Sequence, residues 1–367
     1  MLFNDLEYFD HAFPEPQYLG AKNNFRKWIG QFIPDDIDTA LDAFAGSQSI
    51  AFLLKQMGLT TITNDFLSFN HQIGLALIEN RGEQLCPDDV EVLFQDNKQP
   101  DKFFLMEKFY SDVFFEKKEA IFLDGFRSNL QYLTNKYKQA IALAVMNRSM
   151  TRKVTMGHFA HTQALNYAAN PDRIKRNRSL VRPLKDIFLD ILPQYNFAVF
   201  DNGQKNTSYC TNIIDLLPKL DKIDLAYFDP PYCNSHADYQ SFYHVLETYT
   251  ENWKDKDFIN SIRRYDPKRI SGFDKKCDVI KSLKRLFALS QAIPHWLISY
   301  NNRSFPDIET FVKIIAHYRP VRVETKTYAN GRGGKGSVAG SQEVLLICHR
   351  AKCKKIQNHH RNVYEKL

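Results

Sequence analysis

Close cysteine pairs, long apolar runs and repeats are all missing from this chain. Its six cysteines, Cys86, Cys210, Cys233, Cys277, Cys348 and Cys353, form no CxxC pair, so free thiols in a reducing cytoplasm are expected rather than a disulfide framework. Cys348, His349, Cys353 and His359-His360 crowd together near residue 350. Their spacing fits no standard structural zinc site, and no metal is expected. Apolar runs such as Val344-Leu345-Leu346-Ile347-Cys348 fall far short of the ~20 residues that cross a bilayer. The opening Met1-Leu2-Phe3-Asn4-Asp5-Leu6-Glu7 is acidic where a secretion signal is basic. Neither membrane insertion nor export is expected. Gly331-Arg332-Gly333-Gly334-Lys335-Gly336 is rich in glycine but lacks the GxxxxGK[ST] pattern and following helix of a phosphate loop, which argues against nucleotide hydrolysis.

With 367 residues, 44% hydrophobic and 25% charged, the chain can bury a full α/β core and carry a second unit. The net charge of +7 favours a polyanionic partner, and its distribution says more. Arg148, Arg152, Lys153, Arg173, Lys175, Arg176, Arg178, Arg182 and Lys185 face the single acid Asp172 over the same span. Such a block repels itself unless phosphates relieve it, although a solvated basic face reads the same way. A second basic stretch, Arg263-Arg264, Lys268-Arg269, Lys275-Lys276, Lys281 and Lys284-Arg285, is broken by acids and reads as helical surface.

The most specific signal is Asp229-Pro230-Pro231-Tyr232, directly after the apolar run Leu225-Ala226-Tyr227-Phe228. Two prolines cannot continue a ladder, so this tetrapeptide is expected as a stiff, extended loop beyond the carboxyl end of a buried strand, where open α/β sheets bind ligands. Its chemistry suits methyl transfer to a planar exocyclic amine. A carboxylate and a proline carbonyl accept the two amine hydrogens, and an aromatic ring stacks on the base.

A second signal lies earlier in the chain. Thr39-Ala40-Leu41-Asp42-Ala43-Phe44-Ala45-Gly46-Ser47-Gln48-Ser49, followed by the apolar pattern Ile50, Phe52-Leu53-Leu54 and Met57, reads as a strand, a tight turn of small residues and a helix that Ser47 or Ser49 could cap. Small residues let a ligand approach the backbone at a helix N-terminus. Thr60-Thr61-Ile62-Thr63 reads as the next strand, ending in Asn64-Asp65, at the spacing where dinucleotide folds place a ribose-binding acid.

Together these segments resemble the adenine-specific DNA methyltransferases of the Dam-like D12 class, with motifs in the α-type order. Gln17-Tyr18-Leu19-Gly20-Ala21-Lys22 is similar to that family's amino-terminal motif, so Lys22 inherits a contact to the cofactor carboxylate. Asp42-Ala43-Phe44-Ala45-Gly46-Ser47 is similar to its S-adenosylmethionine loop, and Asp65 falls on its ribose-binding acid. Ala144-Val145-Met146-Asn147-Arg148-Ser149 resembles an LNRT-like segment, Ser299-Tyr300-Asn301 an SYN segment, and Asp229 to Tyr232 the catalytic motif. Asn212 lies near a polar contact to the cofactor's adenine, though it reads equally as a helix cap. Gln48 departs from the pattern, standing where the family usually has glycine; with negative φ it could open the following helix.

The resemblance implies a Rossmann-like, S-adenosylmethionine-dependent α/β sheet ending in an antiparallel hairpin. Residues 1–85 and 196–350 are expected to form a discontinuous catalytic domain, 86–195 a helical, basic target-recognition insert, and 351–367 a basic tail. Val321 to Thr325 and Glu343 to Cys348 read as the hairpin strands, with Arg332 and Lys335 at its tip either mobile or touching DNA phosphates. The implied partner is double-stranded DNA, with a cognate restriction endonuclease possible, and the oligomeric state is open. The target base must leave the stack, with Tyr232 as stacking partner. An RNA adenine or DNA cytosine amino-methyltransferase would use the same tetrapeptide, and a DNA-binding subunit without turnover would keep the same fold. A protein-glutamine methyltransferase typically carries asparagine at the position of Asp229.

Overall fold

Four consecutive apolar residues, Leu225–Phe228, form strand β4, all of them buried, as a parallel strand covered on both faces requires. The computed structural model describes residues 11–16, 18–154, 157–160, 162, 164–233, 238–253, 256–259, 264–266, 270–327 and 342–349. The opening Met1 to Glu7, Gln17, Arg263, Lys268-Arg269, the stretch 331–336 with Arg332 and Lys335, and the tail 351–367 with Cys353 and His359-His360 lie outside the described residues.

The remaining strands are β1 (Thr39–Asp42), β2 (Thr60–Asp65), β3 (Thr207–Cys210), β5 (Asp257–Ile259), β6 (Arg264–Asp266), β7 (His295–Asn301), β8 (Arg322–Thr327) and β9 (Gln342–His349). Among the described residues, seven of these nine strands belong to a mostly parallel sheet, and β5 with β6 makes a separate antiparallel hairpin. The chain divides into two units, one taking its described residues from 1–27, 45–211 and 238–270, the other from 28–44, 212–237 and 271–367.

In the second unit the strand order is β1-β4-β7-β9-β8. β4 runs parallel to both β1 and β7, and β9 runs antiparallel to both β7 and β8. This is the expected α/β sheet closing in an antiparallel pair. At the base of β4 the Asp224 carboxylate accepts the backbone N–H groups of Asp38 (3.1 Å) and Thr39 (3.0 Å), fixing the start of β1 beside it. The edge strand β8 is the polar sequence Arg-Val-Glu-Thr-Lys-Thr, mostly exposed, and charge on such an edge discourages pairing with another chain.

In the first unit β2 and β3 pair in parallel, with Asp65 opposite Cys210. Its apolar core joins the helices Ser49–Gln56, Lys117–Asn129, Lys136–Arg152, Leu184–Ala198 and His244–Glu251. Phe188 lies 5.3 Å from Phe126 and 5.5 Å from Phe94, ring centre to ring centre. The described regular elements between 86 and 195 are helical, as expected. They share a core with Phe52, Leu67, Phe69 and Leu77, so this unit unites the region after the cofactor loop with the insert, a division other than 1–85 and 196–350 against 86–195. The basic stretch 263–285 is only partly helical surface. Arg264 lies in β6, whereas Lys276, Lys281, Lys284 and Arg285 ride on the helix Lys276–Leu289.

The helix Ser68–Gly74 has no side chain of its own N-cap to meet its first amides. Glu247, fully buried, supplies the acceptors instead, taking the N–H of Ser68 at 2.9 Å and of Phe69 at 3.1 Å. A carboxylate there answers both the orphan donors and the positive end of the helix. Glu247→Ala leaves two amides unmet at about 1–3 kcal/mol each, so its urea midpoint should fall clearly. An unchanged midpoint would show that Glu247 does not hold this helix.

Candidate active site and cofactor loop

In the second unit, β4 ends at Phe228 and the tetrapeptide Asp229 to Tyr232 follows outside any regular element, as the two prolines dictate. Asp229 is partly exposed and Tyr232 is 9% exposed. The Tyr232 hydroxyl donates to Asp229 Oδ1 at 2.7 Å. Burial first, and the Asp229 charge second, hold the Tyr232 phenol well above its ordinary value, so it stays protonated and a donor. Its ring meets Tyr300 edge-on at 5.5 Å and 85°. Tyr300 is anchored in turn by donating to the Pro306 carbonyl at 2.6 Å. The neighbouring strands are locked by a 2.6 Å bond between the Tyr227 and Ser299 hydroxyls. The SYN-like segment thus supports the tetrapeptide from behind.

Asp42, at the end of β1, is 1% exposed and pairs in register with Tyr227. Phe44 packs against Phe273 at 5.1 Å, ring edge to face. Asn212 caps the helix Ile213–Leu216 by accepting the Ile214 N–H at 3.1 Å, and its amide donates to the Ser271 carbonyl at 3.2 Å. It is therefore at least the cap that one reading of the sequence gave.

In the first unit, Asp65 ties Gly46 directly, and Tyr18 through Asn70, into one hydrogen-bonded group. Its Oδ2 accepts the Gly46 N–H at 2.7 Å, and its Oδ1 accepts the Leu67 N–H at 2.8 Å and the Asn70 amide at 3.1 Å. The Asn70 amide also donates to the Tyr18 hydroxyl at 3.3 Å. Gly46 takes φ +48°, and a Cβ there would meet Tyr18 Cε1 at 3.0 Å, so glycine lets the Tyr18 ring lie directly on the loop. Tyr18 stacks on Tyr243 at 5.0 Å and 16° and on Tyr239 at 5.6 Å and 17°. Lys22 is 4% exposed.

Two expectations about the turn need correction. Gln48 has φ +67°, not a negative value, and it is Gln48 that occupies the N-cap of the helix Ser49–Gln56, with no side-chain cap from Ser47 or Ser49. Its side chain offsets the backbone strain. Gln48 Oε1 accepts from Thr63 at 2.6 Å, and Nε2 donates to the Asn70 carbonyl at 3.3 Å. The position keeps glycine's conformation without glycine.

A cavity inside this unit is lined by Tyr18, Ser47, Asn70, Asn147, Arg148 and Tyr243 among others. Asn70 and Asn147 are among its lining residues, and the side-chain oxygen of each is buried without a hydrogen-bond partner. Neither asparagine was singled out from the sequence as a site residue, because nothing local distinguishes an unmet carboxamide from a met one.

The basic block is distributed unevenly. Lys175, Arg176, Arg178 and Lys185 are exposed. Lys153 is 9% exposed, pairing with Glu119 at 3.0 Å and donating to the Arg182 carbonyl at 2.8 Å. Arg182 bonds Asp190 at 2.5 Å, and Arg173 lies 3.7 Å over the Tyr167 ring. Arg148 donates to the Glu15 carbonyl at 3.1 Å, and the Arg152 carbonyl accepts from Asn177 at 3.1 Å. Among the described residues no helix is long and apolar enough to cross a membrane, and no group of three or more His, Cys, Asp or Glu side chains is placed to hold a metal ion.

Comparison with known proteins places this geometry. The family model of the D12 class N6 adenine-specific DNA methyltransferases matches residues 18–314. The Type II methyltransferase M2.HphI of Haemophilus parahaemolyticus is 33% identical over 342 residues, covering 91% of this chain and 97% of that protein. The modification methylase StsI of Streptococcus sanguinis is 23% identical over 318 residues, covering 82% of this chain but 46% of that protein.

The cradle at Gly46 gives a direct test. Gly46→Ala forces a side chain into left-handed backbone at about 1–2 kcal/mol and pushes on the Tyr18 ring. Its unfolding midpoint should drop accordingly. A variant as stable as the parent would mean that Tyr18 does not rest on this loop.

Proposed function

The chain belongs to the D12 class of N6 adenine-specific DNA methyltransferases, and from that premise we propose that it methylates the exocyclic amine of an adenine turned out of duplex DNA, using S-adenosylmethionine, as the modification half of a restriction–modification pair. The observation that carries this reading is the proline-stiffened tetrapeptide at the carboxyl end of β4, with the Tyr232 hydroxyl donating to Asp229. The pairing with a nuclease rests on relatives named type II methyltransferase and modification methylase.

An aromatic amine is a poor nucleophile because its lone pair is delocalised into the ring. Asp229 Oδ1 and the Pro230 carbonyl, each accepting one amine hydrogen, would favour a pyramidal nitrogen and direct its lone pair. Pro231 keeps the loop stiff, so orientation rather than proton transfer does most of the work. S-adenosylmethionine, when bound, supplies an electrophilic methyl on a positively charged sulfur. Tyr18, Lys22, Asp42, Phe44, Gly46, Ser47, Asp65 and Asn212 are the residues proposed to hold it. Asp65 acts partly by shaping the loop, since its oxygens already accept from Gly46 and Asn70. Tyr232 has two parts to play: its ring stacks on the extruded base, and its hydroxyl yields Asp229 Oδ1 to the amine.

Phosphate contacts are assigned to Arg148, Arg152, Lys153, Arg173, Lys175, Arg176, Arg178 and Arg182, the exposed Lys175, Arg176 and Arg178 foremost. Lys153, buried against Glu119, contributes through shape more than by direct contact.

Asp229→Ala should abolish methyl transfer to adenine, with the affinities for S-adenosylmethionine and DNA staying within a few-fold of the parent. Mapping methylated adenines in DNA from expressing cells reads out both the target base and its sequence. Near-normal turnover by the variant, or methyl groups found in RNA alone, would refute this reading.

Reversing Arg176 and Arg178 to Glu should weaken binding to any duplex and flatten the slope of log affinity against log salt by about 2, because two phosphate contacts no longer release counterions. Base preference should survive, since phosphate contacts carry no direct sequence information. An unchanged salt slope would move the DNA-facing surface elsewhere.

A further inference from the structure

His295 opens β7 and His349 closes β9, and the antiparallel register sets the two directly opposite each other. Their Nδ1 atoms face one another at 2.8 Å, with ring centres 5.1 Å apart and ring planes crossed at 73°. A neutral imidazole donates from one nitrogen and accepts at the other, so a single proton lies between the two Nδ1 atoms. Two imidazole nitrogens that converge in this way are also half of a metal site.

Their spacing favours one class of ion. With metal–nitrogen bonds of about 2.0 Å, ligands at a right angle stand about 2.8 Å apart and ligands at the tetrahedral angle about 3.3 Å. The observed separation matches the right angle, which belongs to square-planar or tetragonal Cu²⁺ and Ni²⁺ rather than to tetrahedral Zn²⁺. His349 is exposed and His295 half-buried, so both rings have room to tilt until their lone pairs meet at one point. The charges of Arg319 and Arg322 act on His349. Both are engaged already: Arg319 donates to the Pro294 carbonyl at 2.9 Å and lies 3.7 Å over the Trp296 ring, and Arg322 pairs with Glu324 at 2.7 Å. Positive neighbours turn away ions held by charge alone, such as Mg²⁺ and Ca²⁺, which also prefer oxygen ligands. Cu²⁺ and Ni²⁺ bond imidazole directly and stand high in the affinity order of first-row metals.

We propose that His295 and His349 form a two-histidine clip for Cu²⁺ or Ni²⁺ that ties the start of β7 to the end of β9. The metal takes the two Nδ1 lone pairs, the proton between them goes to solvent, and water fills the remaining positions. The clip lies at the opposite end of β7 from Tyr300, and so away from the tetrapeptide that Tyr300 supports. The cysteines and histidines crowded near residue 350 do not reveal it, because His349 finds its fellow ligand 54 residues earlier in the chain.

Unfolding midpoints and calorimetry of the full chain, with the chlorides of Ni²⁺ and Mg²⁺, test the clip. Ni²⁺ should raise the midpoint of the parent, since a ligand held only by the folded state stabilises it, and Mg²⁺ should not. His295→Asn and His349→Asn should each weaken Ni²⁺ binding at least tenfold and abolish the rise, and the double variant should lose no more than either alone. A rise that survives in either variant, or none in the parent, would overturn the proposal. Should a variant not fold, the parent alone decides by paramagnetic broadening. Substoichiometric Cu²⁺ should broaden the ring signals of His295 and His349 before those of the other nine histidines, and any other histidine broadening first would place the metal elsewhere and sink the clip.

Discussion

Asp65 accepts hydrogens from the Gly46 and Leu67 amides and from the Asn70 carboxamide, and this one carboxylate gathers three segments of the first unit into a single arrangement. A carboxylate can only accept, so each donor that reaches it is fixed in direction as well as place. The Gly46 N–H is turned toward the end of β2, which sets the left-handed backbone of the loop. The Asn70 amide, shared between Asp65 and Tyr18, holds the ring beside the loop at the wall of the cavity. Replacing Asp65 would thus disturb the loop, the ring and the cavity together. For that reason a loss of ligand affinity in such a variant would not by itself identify a direct contact.

Much of this architecture was legible in the sequence, and the legible parts share a cause. β4 follows Leu225–Phe228 because continuous apolar runs bounded by prolines have few alternatives. The strand, turn and helix from Thr39 to Gln56 follow from a short apolar strand, small residues and a helical apolar pattern. What failed depended on partners distant in sequence. Gln48 adopts a conformation that local rules reserve for glycine, because Thr63 and Asn70 hold its amide at both ends. Arg264 sits in a strand whose partner is β5, although the surrounding charge reads as helical surface.

The basic block shows the same limit. Counted along the chain, nine cations between Arg148 and Lys185 face a single acid. In the folded unit Glu119 and Asp190 lie against Lys153 and Arg182. A buried pair such as Lys153 with Glu119 holds helices together and presents little charge outward, whereas exposed residues such as Arg176 and Arg178 keep their field in solvent. Linear charge density therefore overstates what a polyanion meets, and burial decides which cations count.

At the tetrapeptide the constraint is the reverse of that at Asp65. Pro230 and Pro231 remove two backbone donors beside a carboxylate that chemistry requires to accept. The Tyr232 phenol meets that need from three residues away, and burial keeps it protonated. An amine entering the site must therefore replace or share an existing hydrogen bond, and it gains only the difference between the two. Discrimination follows from that difference. A planar amine with two hydrogens can satisfy Asp229 and the Pro230 carbonyl together while its ring takes the face of Tyr232. A hydroxyl or a lone N–H leaves one acceptor unmet, and a ligand without a ring leaves the aromatic face uncovered. On the proposed reading, the tetrapeptide is a filter for an aromatic amine before it is a catalyst, and its stiffness makes the filter selective.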